Sequence, residues 1–176
     1  DDADHLLILI MHHMIFDGWS ITILTRELMQ AYQCYQQGVT DCLPKPAIQY
    51  SDFSRWQRLW LQGEELEKYV NYWRQQLDGI TTLDLPTDNP RPPIQTYNGK
   101  NQGLQLSAEL SDKLVTLART NDASLFMLML SSLGLLLSRY SGQTDIAIGT
   151  PITNRDRTEL QDLIGFFLNT LVMRLD

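Results

Sequence analysis

Residues 5–11, HLLILIM, form an apolar run between an acidic start and a polar turn. A short run without alternation predicts a strand buried on both faces, as in a parallel sheet. After the turn, Ile21, Leu24, Leu28, Tyr32 and Tyr35 recur at spacings of three and four. They predict a helix over 19–37 with one apolar stripe, closed by Gly38. Segment 41–46, DCLPKP, is a loop. Two aromatic-rich helical segments follow, 50–62 and 64–77. Phe53, Trp56 and Trp60 share one face of the first, and Leu66, Tyr69, Val70 and Trp73 one face of the second. Such stripes are the pattern of core packing.

Segment 83–100 holds four of the seven prolines and can be neither a helix nor a central strand. It reads as a linker. Beyond it, 102–106 (QGLQL) predicts a short strand, and Ser107 caps a helix marked by Leu110, Leu114, Leu117 and Ala118. Ser124 caps a second, wholly apolar helix that ends near 140–142 and is expected to be buried. Segment 144–152 (TDIAIGTPI) predicts a buried strand, 153–163 (TNRDRTELQDL) a polar loop, and 165–175 a further strand. Strands alternating with helices predict an α/β architecture, with helices packed on sheets. The expected divisions are 1–85, a Pro-rich linker at 86–100, and 101–176.

Composition narrows the function. The chain has 176 residues, 43% hydrophobic and 20% charged, which is globular rather than disordered. A net charge of −7 and a pI near 4.8, with no basic patch, argue against nucleic acid as a partner. Cys34 and Cys42 lack metal-ligand spacing and are too few for a disulfide framework, so they read as incidental thiols in a reducing, cytoplasmic setting. The DDAD start is unlike a signal peptide. Segment 6–11 is too short to span a bilayer, and 125–137 is interrupted by Ser131, Ser132 and Gly134, so no membrane association is expected. Both ends lie on core-type strands, so the chain is expected to be the middle part of something larger.

The chemistry concentrates at 11–20, MHHMIFDGWS, which holds two of the three histidines. A metal site is disfavoured, because neighbouring strand residues point to opposite faces and no third ligand lies at suitable spacing; only Asp17 could help. A hydrogen-bonded core histidine is the bland alternative. The third reading is acid–base work. α/β folds place their sites at strand C-termini, an imidazole accepts a proton near neutral pH, Asp17 can orient the loop, and Gly18 allows close backbone approach.

Three ordered stretches resemble the condensation domains of non-ribosomal peptide synthetases. MHHMIFDGWS resembles their HHxxxDG signature, YSDFSRW (50–56) their Y-x-D-F-x-x-W segment, and IGFFLNTLVMR (164–174) their I-G-x-F-V-N-T-x-x-x-R segment. GTPITNRDRTEL resembles the loop before the last motif. The resemblance covers essentially the whole chain. It implies two lobes similar to chloramphenicol acetyltransferase, both incomplete here, with a substrate tunnel between them. It implies peptide-bond formation between a donor and an acceptor thioester, each on the 4'-phosphopantetheine arm of a peptidyl carrier protein, with an adenylation domain adjacent. No directly bound cofactor or metal is implied.

Carried over, His13 is the catalytic histidine and His12 its mostly structural neighbour. Asp17 holds the motif by pairing with an arginine expected from upstream, outside this chain. Gly18 lies close to the reaction centre, and Trp19, Ser20 and Asn169 are tunnel candidates. The missing flanking motifs imply that the isolated chain is inactive. Among rivals, an epimerisation domain fits Trp19 and Ser20 less well, and a heterocyclisation domain would lack the histidines. A coenzyme A acyltransferase would lack the two later motifs. An inactive docking domain would not need His13.

Overall fold

The structure, a computed structural model, describes residues 4–40 and 42–176. A single 3-10 turn, His13–Ile15, precedes helix α1, Gly18–Gln36. Helices α2 (Tyr50–Trp60), α3 (Gly63–Gln76), α4 (Ala108–Thr120) and α5 (Leu125–Ser141) follow. Strand β1 (Ile146–Ile152), the one-turn helix α6 (Thr158–Gln161) and strand β2 (Asn169–Leu175) complete the chain. β1 and β2 form a two-stranded sheet.

The helix ends are where local chemistry places them. Asp17, Ser107 and Ser124 each accept a backbone N–H of the first turn of the helix they cap. Gly142 ends α5 with φ at 73°, a left-handed conformation that costs glycine nothing. Asp52 and Gln49 form a reciprocal cap at the start of α2.

The contacts divide the chain into two compact units. One comprises Asp1–Gln75 with Thr150–Leu171, and the other Gln76–Gly149 with Val172–Asp176. These boundaries differ from the linear ones at 85 and 101, because 150–171 bonds to the first segment of the chain. The division falls inside both strands.

In the first unit, Phe53, Leu160, Leu163 and Phe167 form a buried cluster, with Ile48 and Tyr50 packed against it. The rings of Phe53, Trp56, Trp60 and Tyr69 follow one another at centroid separations of 5.9, 5.4 and 5.9 Å. The core packing expected of both stripes holds at Phe53 alone: Phe53 is buried, whereas Trp56, Trp60, Leu66, Tyr69 and Val70 are exposed. In the second unit, α4 packs on α5. Gly134 of α5 lies against Leu175 of β2, where a Cβ would overlap the leucine side chain. Arg174 clamps this unit: it donates to both carboxylate oxygens of Asp145 at 2.8 and 2.6 Å and to the carbonyls of Gln76 and Asp78.

Several expectations are corrected. Residues 5–11 form no strand; Leu6 is 85% and Ile10 92% exposed. A strand exists by pairing, and no described segment pairs with this one. Residues 102–106 are likewise unpaired. α5 is not buried: Leu125, Phe126, Met127, Leu135 and Leu136 are all exposed, because α4 and the end of β2 cover only part of a helix that is apolar all round. β1 alternates between covered and open positions, as a strand with one packed face does. α1 turns Ser20 and Ile23 inward, while Ile21, Tyr32 and Tyr35 of the predicted stripe are exposed. The 153–163 segment is no solvated loop, for it buries Arg155, Leu160 and Leu163. Cys34 and Cys42 are not free thiols: the chain doubles back after Gly38, the Gln30 side chain donates to the Cys42 carbonyl, and a disulfide joins the two.

Phe53→Ala should reduce unfolding stability by about 3 kcal/mol, the usual cost of emptying an aromatic core site. A urea midpoint equal to that of the parent would show that the Phe53 cluster is not the core of this unit.

Candidate active site

The site starts from one carboxylate. Asp17 is 1% exposed and is the N-cap of α1. Its Oδ1 accepts the Ser20 N–H at 2.9 Å and the Ser20 hydroxyl at 2.8 Å. Its Oδ2 accepts the Phe167 N–H at 3.0 Å. Arg155 donates from Nη2 to both oxygens, at 3.1 and 3.3 Å, and the side chains of this ion pair are almost wholly buried.

Arg155 is itself held on every side but one. Nη1 donates to the carbonyls of Leu160 (2.6 Å) and Leu163 (2.7 Å), and Nη2 also to the Ser20 hydroxyl at 3.1 Å. The guanidinium lies 4.0 Å from the centroid of the Phe167 ring. Nε has no acceptor among the described residues. Two charges out of water are tolerable only when their hydrogen-bonding capacity is filled, and this network comes close to filling it.

Burial by itself pushes the Asp17 carboxyl up. The bond from the Phe167 N–H, the two bonds from Ser20 and the charge of Arg155 outweigh it, so the group titrates below the ordinary 3.8. Burial pulls Arg155 down and Asp17 pushes it back; an arginine stays cationic in either case.

The imidazoles sit at the front of this anchor. His12 Nδ1 accepts the Met14 N–H at 3.1 Å and so caps the 3-10 turn. His13 is exposed, and among the described residues its imidazole makes no hydrogen bond. Its neighbour is the Phe166 ring, edge-on at a centroid distance of 5.5 Å and an interplanar angle of 82°. Gly18 opens α1 with free space where a Cβ would stand. No three of the described His, Cys, Asp and Glu residues converge as a metal site would require.

The remaining expected residues divide. Trp19 is 48% exposed, and its indole donates to the Gln161 carbonyl at 2.9 Å. Ser20 is not on a tunnel wall: it is 0% exposed, and its hydroxyl also accepts the Gly165 N–H at 3.1 Å, its single proton being shared between Asp17 Oδ1 and the Gly165 carbonyl at 2.9 Å. Asn169 is exposed at the start of β2, with its side-chain oxygen on the Thr170 N–H. The arginine partner of Asp17 is not upstream but within the chain, at position 155. Nothing in TNRDRTEL separates Arg155 from Arg157, which instead lies over the Trp56 ring. Charge and spacing gave no signal for it. Tyr50 and Gly165 were also unassigned. The Tyr50 hydroxyl donates to the Phe166 carbonyl at 2.7 Å, and its ring fills the space a Cβ at 165 would need.

Known proteins place this arrangement. The family model of the condensation domain matches residues 1–176, and the chain belongs to that family. It is 47% identical over 177 residues to a linear gramicidin synthase of Brevibacillus parabrevis, a match covering 100% of this chain and 4% of the synthase. It is 46% identical over 175 residues to phosphinothricin tripeptide synthetase PhsC of Streptomyces viridochromogenes, covering 99% of this chain and 16% of that protein. Among solved structures, the X-domain from teicoplanin biosynthesis superposes with a TM-score of 0.85 at 28% identity, over 94% of this chain and 38% of that one. The chain thus spans a small fraction of the curated relatives it matches and little over a third of the structural one. Its mixed helices and sheet are part of the α/β, chloramphenicol-acetyltransferase-like fold. Among the described residues no single helix is long and apolar enough to cross a membrane.

The anchor can be tested in two ways. Arg155→Met leaves a buried, unpaired carboxylate and should cost about 3–5 kcal/mol of unfolding free energy; a loss under about 1 kcal/mol would mean the pair is dispensable. Because the folded Asp17 is more acidic than the unfolded one, its contribution is complete above the ordinary value of 3.8 and disappears as pH falls through the lower folded value. Asp17→Asn should therefore flatten the acid limb of the stability–pH curve, and an unchanged limb would assign the acid sensitivity to other groups.

Proposed function

We propose that this chain carries the reaction centre of a peptide-bond-forming condensation domain. The observation that supports this most is the division of labour within one short turn. Asp17 is buried and fully bonded, whereas His13, four residues earlier, stands exposed. A turn made only for packing would have no use for an exposed imidazole on so firmly held a base.

In this reading a donor acyl or peptidyl thioester and an acceptor aminoacyl thioester arrive on the phosphopantetheine arms of two peptidyl carrier proteins. The acceptor amine attacks the donor carbonyl. A C–N bond forms, the C–S bond breaks, and the donor arm leaves as a thiol that takes up the proton the amine gives up. His13 accepts the amine proton or holds the amine by hydrogen bond as the tetrahedral intermediate forms, and passes the proton on toward the sulfur. A thioester is already activated, so the gain from proton transfer adds to that from positioning. His12 fixes the backbone of the turn, Gly18 keeps its flank open, and Trp19 and Asn169 border the substrate path. The neighbouring adenylation domain supplies the activated acceptor. The similarity to peptide synthetases supports these partners.

The test uses a chimaera in which these 176 residues replace the matching segment of the linear gramicidin synthase, assayed for peptide transfer between two loaded carrier proteins. With the parental chimaera active, His13→Ala should lower turnover by about 10²-fold or more. Normal peptide formation by that variant would remove His13 from the reaction.

A further inference from the structure

Hydrogen bonds from Ser20, Tyr50 and Asp17 hold the 165–167 backbone, and one side chain of this segment goes elsewhere. The Gly165 N–H donates to the Ser20 hydroxyl, whose one proton is shared between Asp17 and the Gly165 carbonyl. The Phe166 carbonyl accepts from the Tyr50 hydroxyl, and the Phe167 N–H donates to Asp17. The Tyr50 ring occupies the space beside Gly165, so this backbone has no room to shift toward it. The Phe167 side chain goes into the core and beneath the Arg155 guanidinium. The Phe166 side chain does not join that core: it is half-buried, and its ring meets the His13 imidazole edge-on.

Among the described residues His13 has no hydrogen bond to fix its ring, and an exposed imidazole held only by its backbone samples several rotamers. We propose that Phe166 is the positioning residue for His13, and that Ser20 and Tyr50 exist in this site to hold Phe166. The edge-on geometry is the one aromatic quadrupoles favour, and it restricts the rotation of the imidazole without occupying either ring nitrogen. Both nitrogens stay available to substrate. The proposal rests on the reading of His13 as the reacting group.

The same chimaera tests it. Phe166→Leu keeps an apolar side chain but removes the ring; kcat should fall roughly three- to tenfold, with KM for both loaded carriers and the thermal midpoint unchanged. Phe166→Tyr keeps the ring and should retain parental kcat. Ser20→Ala, which frees Gly165, should lower kcat in the same direction, together with some loss of stability from the broken network. A Phe166→Leu variant with parental kcat overturns the proposal, and so does one in which KM alone rises or in which Phe166→Tyr loses as much as Phe166→Leu. If His13→Ala is inactive and Phe166→Leu is not impaired, only this inference fails. If His13→Ala is fully active, the underlying reading fails.

Discussion

The structure of this site depends on one buried ion pair, Asp17 with Arg155. Neither member could be buried alone, since an unpaired charge in the interior costs several kcal/mol. Together they do what apolar packing cannot, because each fixes backbone as well as side chain. Asp17 caps α1 and accepts the Phe167 N–H; Arg155 closes the 155–163 turn by taking the carbonyls of Leu160 and Leu163. Segments 138 residues apart are held in register by charge-assisted hydrogen bonds. Ser20, between them, extends the network to Gly165.

This anchor explains why the histidine part of the motif can be exposed. The exposed positions lie in front of the buried ones: the 3-10 turn with His12 and His13 comes first, and the buried Asp17 follows it. Precision at a functional site comes from supporting contacts, and the contacts around Asp17 are polar, buried and nearly saturated. The apolar cluster of Phe53, Leu160, Leu163 and Phe167 lies beside the network and shares Phe167 with it, so the core and the site stabilise one another.

The exposed apolar surface has a different origin. Residues 6–11 and one side of α5 present leucine, isoleucine, methionine and phenylalanine to solvent. Their hydrophobic pattern is that of elements with neighbours on more than one side. The chain covers 38% of the length of the teicoplanin X-domain. Pattern alone predicted a strand at 5–11, but strand formation requires a partner, and pattern carries no information about whether one is present.

The sequence by itself determined the five longer helices, the Ser107 and Ser124 caps, the α/β class and the family. It also placed His12, His13 and Asp17 on one turn. Those features depend on neighbours within a few residues or on ordered motifs, and short-range chemistry decides them. Only the tertiary structure decided that Arg155, not a more distant arginine, neutralises Asp17, and that Ser20 faces inward rather than toward substrate. It also decided that α1 buries Ile23 instead of the stripe through Ile21 and Tyr35, and that Cys34 meets Cys42. Each of these depends on which groups folding brings together across the chain. Arg155 and Arg157 stand in the same polar run, and only the position of Asp17 relative to that run, set by the packing of α1 and α2 against 155–167, gives one of them a buried carboxylate and the other an aromatic face.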